Sequence, residues 1–561
     1  TLARGDAVFH HSWTIHGTAP NETEQKRRGW ALHYADARSR WGDHHTVSRS
    51  GDGILAHADP RARELCAKRN EERQKTAHGV YLQHGGRNFT FEVASSAIAQ
   101  QTAVVFVLTN VTTPTRRVGQ LNGTTLMVMD SKDNLIGVSY EMRTDDTFAG
   151  SLVNVDGFDA AVDTPSFRHS ARVSFMVGGH VPVDGHIRVV LPKVLGVQDG
   201  WRIDALPAIV FSRPSVRVPV VNGSATEVAD GNRSVTFAIM EHDIPQGSIV
   251  EFTISNVTTP TRASAGGYNT TVTTLSKHLQ VIDGPSMIDT AAVTTGKLVG
   301  AKTFNTSVDT PAYTGTSEVR FTTAGSVPIG GRIEVELPSL TGLQAGWQVG
   351  ASASVVFSEP AEDTPVVTEA VWLEAGGRRV GFKIAGNEIQ QRTDVTFTIS
   401  HVTTPTRQVG AASETSIWTY DSLGNIIDSA SDVSTDAITE GGLTGVKSVN
   451  SAVDTPAYTD EAVVSFTTSG GVPVGGSIRV SLPEVVSSQA GWVVSSGTSS
   501  VEFGSPSSSA PLVNGADVNV TSGGRVVEFA ISENELGQGV EVVFTISHVT
   551  TPTRQVGAAS E

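Results

Sequence analysis

The sequence predicts an all-β chain built as a tandem array of β-sandwich modules, and three observations carry that expectation. A strand-and-turn phrase recurs four times, as FVLTNVTTPTR from Phe106, FTISNVTTPTR from Phe252 and FTISHVTTPTR from Phe397 and Phe544, at steps of 146, 145 and 147 residues. Asp-Thr-Pro at Asp163, Asp309 and Asp454 keeps the same step, as does a Gly-Trp pair ending at Trp201, Trp347 and Trp492. Self-similarity at a fixed period outranks local signals when a fold is assigned. Composition agrees: 56 glycines, 6% aromatic residues and abundant Thr, Ser and Val favour short strands and turns over helices.

With 561 residues and 39% apolar content, the chain can build several cored domains. One cysteine, Cys66, rules out internal disulfides. No apolar run approaches the roughly 18 residues of a spanning helix, so no membrane span is expected. Charge divides the chain. Residues 1–90 hold 14 Lys+Arg against 10 Asp+Glu, and the remainder holds 27 against 47. An acidic array of this kind repels nucleic acid, which removes that class of partner. Phe544–Glu561 repeats Phe397–Glu414 residue for residue, so the last copy stops inside a repeat and both ends read as cut.

The opening segment has apolar alternation over Ala7–Ile15, a Gly-Thr-Ala-Pro-Asn turn and a second apolar strand over Gly29–Tyr34. A histidine closes the first strand and arginines precede the second. Histidine is a common ligand for non-haem iron, and a guanidinium fork suits a carboxylate. Gly5-Asp6 with Phe9-His10, His16-Gly17-Thr18, Pro20-Asn21, Arg27-Arg28 and His33-Tyr34 resemble the C-terminal end of the phytanoyl-CoA dioxygenase-like family over residues 3–41. The resemblance implies the last strands of a truncated double-stranded β-helix (jelly roll), Fe(II) and 2-oxoglutarate as cofactors of the full-length parent, and three site residues. His16 matches the distal iron ligand, Arg27 the arginine that pairs with the far carboxylate of 2-oxoglutarate, and Thr18 a hydroxyl beside it. The family's other two ligands, a His-x-Asp pair, lie upstream of the distal histidine and do not occur before His16. This fragment alone is therefore expected to be inactive. His57-Ala58-Asp59 falls on the wrong side of His16, and Asp59-Pro60 reads as the cap of a charged helix over Asp59–Thr76.

The array begins near Val80, where VYLQHGGRNFTFEVA aligns with VWLEAGGRRVGFKIA from Val371. Each period contains two related halves, which leaves two organisations open: two small sandwiches, or one two-lobed domain of about 146 residues. Pro219, Pro365 and Pro511 are the expected joints, spacing modules into an elongated string. The predicted domains are 1–58 (β-helix remnant), 59–77 (helical segment), 78–218, 219–364 and 365–510 (repeats) and 511–561 (a truncated fourth repeat). In the repeated phrase, Val395, Phe397 and Ile399 alternate onto one face, and Pro405 ends ladder pairing. Asn110, Asn256, His401 and His548 keep the apolar phase and are expected to cap the core edge. Ten of eighteen asparagines lie in Asn-x-Ser/Thr, which suggests glycans. Asp130, Asp133 and Asn134, with Asp421 and Asn425, are candidate calcium ligands, although turn chemistry accounts for them better. The recurring tryptophans are read as core anchors rather than glycan platforms.

Two functions follow. One is an oxygenase of unknown substrate whose acidic array spaces or displays it. The other is a non-enzymatic structural or adhesive surface fibre that meets surface glycans or proteins. Both lean to an extracellular or cell-surface setting.

Overall fold

The computed structural model describes residues 74–75, 80–83, 85–93, 96–130, 135–342, 345–485, 490–514 and 518–556. The β-helix remnant and nearly all of the expected helix lie outside them. At the end of that helix the structure differs from expectation: Gln74–Lys75 pair with Tyr81–Leu82 as strands, so the helical pattern does not reach Thr76. The described chain is nearly all β, its regular elements being strands and single 3-10 turns such as Gly223–Ala225. It divides into two compact units, one of Thr1–Ser151, Gly179–Val181 and Thr274–Gly284, the other of Leu152–Gly178, Pro182–Thr273 and Pro285–Glu561.

The most complete module lies in the second unit and serves as the template. Its strands are β1 (Val299–Thr306), β2 (Thr314–Thr322), β3 (Arg332–Glu336), β4 (Gln348–Val349), β5 (Val355–Glu359), β6 (Trp372–Glu374), β7 (Arg379–Lys383), β8 (Asp394–Thr403), β9 (Ala412–Tyr420) and β10 (Ile426–Thr435). Strand β8, the body of the repeated phrase, is flanked by β2 on one edge and by β4 and β5 on the other. The facing layer runs β6-β7-β3-β9-β10. The two layers join where β1 meets β10 in parallel, Thr303 opposite Ser434 and Phe304 opposite Thr435. A single apolar core fills the space between, running from Leu298 to Ile438.

Phe397 is the hub of that core. Its ring lies 5.1 Å from Phe382, 5.3 Å from Phe357 and 6.3 Å from Phe321. The same four-ring cluster surrounds Phe252, with Phe237, Phe211 and Phe175, and Phe544, with Phe529, Phe503 and Phe466. In these three copies of the phrase one phenylalanine therefore ties both layers together, because the rings it meets come from both layers. Trp347 closes the other end of the core against Phe304 at 5.6 Å, edge to face, and Trp201 repeats this on Phe158 at 5.2 Å. The tryptophans are core residues at both places, 2% exposed.

The core of 298–438 moves the module boundaries. Pro365 lies inside the sandwich, on the crossover from β5 in one layer to β6 in the other, where Val366 bridges to Ala385. Pro219 precedes Val220–Val221, which pair with Ile239 and Met240, and Pro511 precedes Leu512–Val513, which pair with strand Val526–Glu533. These prolines mark a change of layer, a place where the chain leaves a ladder and a missing N–H is harmless. The core makes residues 298–438 one two-layered domain, so the joint to the third module lies between Thr435 and Thr444, ahead of the strand that leads into the next Asp-Thr-Pro loop.

In the third module, strands Thr444–Ser451, Thr459–Thr467 and Glu541–Thr550 rebuild one layer, and Ser477–Ser481 with Val526–Glu533 the other. Counterparts of β9 and β10 are absent among the described residues, and the two layers are separate sheets.

In the first unit, Asn122–Met129 and Leu135–Arg143 form a two-stranded sheet matching β9 and β10 in sequence. Phe106–Arg116, the first copy of the phrase, is not a strand. Its later copies pair with a strand that follows Asp-Thr-Pro, and among the described residues no such strand precedes this copy.

Removing the anchor in Trp347→Ala should lower the stability of the second module by roughly 3 to 5 kcal/mol, the range for an aromatic truncated in a core. Hydrogen exchange resolved by module should show the loss confined to residues 299–435, with protection of 444–550 retained.

Candidate functional site: the junction between modules and the open third module

The two repeated phrases meet inside every module. The second Thr of Val-Thr-Thr-Pro reaches the Asp-Thr-Pro loop: Thr404 Oγ1 donates to Thr310 O at 2.5 Å and accepts from Tyr313 N at 2.9 Å, while Ala312 N donates to Pro405 O at 2.9 Å. Thr259 does the same for Thr164 and Phe167, and Thr551 for Thr455 and Tyr458. The loops turn through left-handed residues Ser166, Ala312 and Ala457, with φ of 53°, 52° and 57°. Such a conformation persists where the surroundings over-determine it, and the threonine latch supplies that constraint.

Held this way, the loop docks on the next module. Gly471 N donates to Ala312 O at 2.8 Å, and one period earlier Ser326 N donates to Ser166 O at 2.9 Å. A glutamine clasps the backbone beside it: Thr314 N donates to Gln538 Oε1 at 2.5 Å and Gln538 Nε2 to Thr314 O at 2.8 Å. Gln391 clasps Arg168 in the same two bonds. Space is tight, since a Cβ on Gly470 would run into Pro311 O, and one on Gly325 into Pro165 O. Gln391 and Gln538 recur in sequence 147 residues apart, a signal that could have marked the junction.

The candidate calcium residues of the second module belong to this junction. Asp421 is buried, and its carboxylate accepts from Leu423 N, Asn425 N and Asn425 Nδ2 of its own turn and from Thr261 Oγ1 of the preceding module at 2.8 Å. Asn425 Nδ2 also donates to Gly196 O at 3.0 Å. Asp421 acts here as an acceptor ringed by donors, the behaviour of a structural latch. Asp133 and Asn134 lie outside the described residues. Among the described residues there is no cluster of three or more His, Cys, Asp or Glu that could hold a metal ion, and no helix long and apolar enough to cross a membrane.

A second buried carboxylate, not anticipated from sequence, ties β10 to the β2–β3 turn. Asp428 accepts from Ala324 N at 3.0 Å and from Gly325 N at 3.1 Å, and its own N–H donates to Thr419 Oγ1. Asp283 likewise accepts from Gly179 N, and its own N–H donates to Thr274 Oγ1. The recurrence of Asp at a 145-residue step was the available clue. Burial pushes the Asp428 carboxyl up to about 7, outweighing the pull of the Gly325 and Ala324 N–H groups and the Thr419 hydroxyl.

Asn256, His401 and His548 do not cap the core edge. Each sits at a strand irregularity with left-handed φ of 58°, 54° and 56°, and the two histidines are exposed. The extra residue turns the side chain away from the core, and the preference for Asn follows from its tolerance of that conformation. Asn110 has φ 63° although its segment is not a strand. His16, Thr18 and Arg27 lie outside the described residues.

The described residues of the third module stop before the counterparts of β9 and β10, which cover this face in the second. A groove of about 1470 Å³ opens between its layers, lined by Ile478, Val480, Val464 and Trp492 and bordered by Thr310 and Pro311 of the docked loop. Trp492 is half-buried there, whereas Trp347 is enclosed.

Comparison with known proteins adds two kinds of likeness. Residues 1–29 match the family model for phytanoyl-CoA dioxygenase. No curated protein matches the chain. Among solved structures it is similar to the adhesin FdeC of Escherichia coli, at 11% identity, covering 71% of this chain and 98% of that one with a TM-score of 0.17. The serine-rich repeat adhesion glycoprotein Srr1 of Streptococcus agalactiae shows 10% identity over 50% of this chain and 97% of that one, TM-score 0.14. The type II cohesin dyad from the adaptor ScaA scaffoldin of Acetivibrio cellulolyticus shows 8% identity over 52% and 98%, TM-score 0.13. At scores this low the likeness adds nothing to what the strands themselves give.

The raised carboxyl of Asp428 sets a pH dependence. Its pKa is about 7 folded against an ordinary 3.8, so the folded state binds the extra proton between those values. The contribution is fully present below about pH 4 and is lost as pH rises through 7. Denaturant unfolding of the second module should therefore weaken over that window, by at most roughly 1.4 kcal/mol per pH unit from this group. Asp428→Asn should flatten the profile there; an unchanged slope in the variant would show that another group carries it.

Proposed function

We propose that the array is a structural stalk: β-sandwich modules coupled end to end, which space and present their neighbours and meet glycans or proteins at a cell surface. One observation carries the reading. The junction is built twice from equivalent residues, Arg168 with Gln391 and Thr314 with Gln538, together with a glycine on which the preceding loop sits. A glutamine amide and a glycine docked on the neighbour's backbone in the same way at each junction fix its orientation repeatedly, which suits a spacer. The excess of acidic residues after residue 90, 47 Asp+Glu against 27 Lys+Arg, keeps such a surface soluble.

The family match at residues 1–29 supports a second reading, in which an iron- and 2-oxoglutarate-dependent oxygenase domain ends where the array begins. His16 would then hold iron together with a His-x-Asp pair supplied from elsewhere, Arg27 would pair with the far carboxylate of 2-oxoglutarate, and Thr18 would assist. In a protein carrying that pair, His16→Ala should abolish iron retention and Arg27→Ala should raise the 2-oxoglutarate requirement. Succinate formation unchanged in both variants overturns this reading.

For the stalk, spin labels at Val356→Cys and Glu502→Cys, equivalent exposed positions of successive modules, should give a narrow distance distribution in a Cys66→Ser background. Gly470→Val should broaden it while leaving both modules folded. A broad distribution before that substitution would mean that the junction does not couple the modules.

A further inference from the structure

One sheet face of the second module carries a set of aromatic and charged side chains that its neighbours do not repeat. In the facing layer Val380, Phe382, Ile333, Val335 and Ile417 point into the core, so the residues alternating with them point outward. Ladder pairing sets Trp372 of β6 opposite Gly381 of β7, Gly381 opposite Glu334 of β3, and Glu334 opposite Trp418 of β9. The two tryptophans therefore stand at the ends of one outward row, three strand spacings or about 14 Å apart along the backbone.

The row is organised by its neighbours. A Cβ on Gly381 would lie within 2.5 Å of the Trp372 ring, so the indole rests across the space that a side chain would take. Glu334, its side chain 7% exposed, accepts from Tyr420 Oη at 3.0 Å and lies 3.2 Å from Arg332 Nε. Burial, with Glu334 beside it, pushes the Tyr420 hydroxyl up to about 12, which keeps it a donor. Arg379 pairs with Glu336 and lies 5.0 Å from the centre of the Trp418 ring, fixing that ring on the sheet.

The first module builds the same ladder with Glu227, Thr236 and Arg188 in these places and Thr273 at the fourth. The third has Asn519, Glu528 and Arg479 at the first three. Folding of the sheet thus does not call for two indoles with a glycine between them.

We propose that this face binds a neutral oligosaccharide of β-linked pyranose units, which stacks on Trp372 and Trp418 and bonds through its hydroxyls to Glu334 and Arg379. A pyranose with equatorial hydroxyls offers an indole a ring face of C–H groups, and its hydroxyls both donate and accept. A carboxylate and a guanidinium side by side serve both needs. The span between the indoles exceeds one sugar ring, so the ligand is a chain rather than a monosaccharide. Its neutrality follows from the charges: Arg332, Arg379 and Lys383 are matched by Glu334, Glu336 and Glu369, which leaves no excess positive charge to draw an acidic sugar. The site names the ligand for the surface contact of the stalk reading, and it rests on that reading for the setting in which glycans are met.

Isothermal titration of the full chain with cellohexaose, laminarihexaose and chitohexaose should show saturable binding of at least one of them, at one site per chain and with a change in tryptophan fluorescence. Trp418→Ala should weaken that binding about tenfold. Gly381→Thr, which gives β7 the first module's residue, should weaken it as much by displacing Trp372, with hydrogen exchange over residues 299–435 retained. Failure of all three sugars to bind, binding that survives either substitution, or binding of heparin alone overturns the proposal. The spin-label distances across the junction read the stalk separately: a narrow distribution in a chain that binds no sugar leaves the stalk standing and removes this site.

Discussion

One hydroxyl per module holds the array together. Thr404, like Thr259 and Thr551, stands where the longest strand leaves its sheet, and it spans the base of the Asp-Thr-Pro loop by donating to one backbone group and accepting from another. A serine could make both bonds, but the β-branched residue also keeps the strand end extended. Everything outward of the loop depends on this: its left-handed residue, the carbonyls it presents, and the seat those carbonyls find on the next module's glycine. The interaction that finishes one fold begins contact with the next.

That economy explains why the two phrases are the most repetitive parts of the sequence. Phe397 must meet three rings from two layers, Thr404 must reach the loop, and Pro405 must end the ladder while offering its carbonyl to Ala312. Each residue has a partner on a different element, so few alternatives satisfy all of them. Positions without such demands, the exposed Val356 and its counterpart Glu502 for example, differ between copies.

The period, the all-β class and the role of the tryptophans were legible because they rest on local pattern and on residue size. The phase of the modules was not. Pro365 looks like a linker residue from its neighbours alone, and only the core running from Leu298 to Ile438 shows that it lies on a crossover. Likewise Asn256, His401 and His548 keep the apolar alternation on paper, but an inserted residue in the ladder reverses the face they occupy. Asp428 escaped notice because a carboxylate in an Ile-Ile-Asp run reads as a surface residue until the turn donating to it is seen. The resemblance at His16, Thr18 and Arg27 rests on sequence.

The parallel pairing of β1 with β10 makes the first and last strands of a module neighbours running the same way. Tension on the array would pull the start of β1 and the end of β10 in opposite directions along that shared edge. The pair is then loaded in shear, and its bonds, with those of Gly296–Lys297 to the same strand, must yield together instead of opening one at a time. The first module has the same parallel contact, Thr290 with Phe158, while the open third module has none among its described strands. A module closed by this pairing would therefore resist extension as a unit, up to the force at which the whole edge yields.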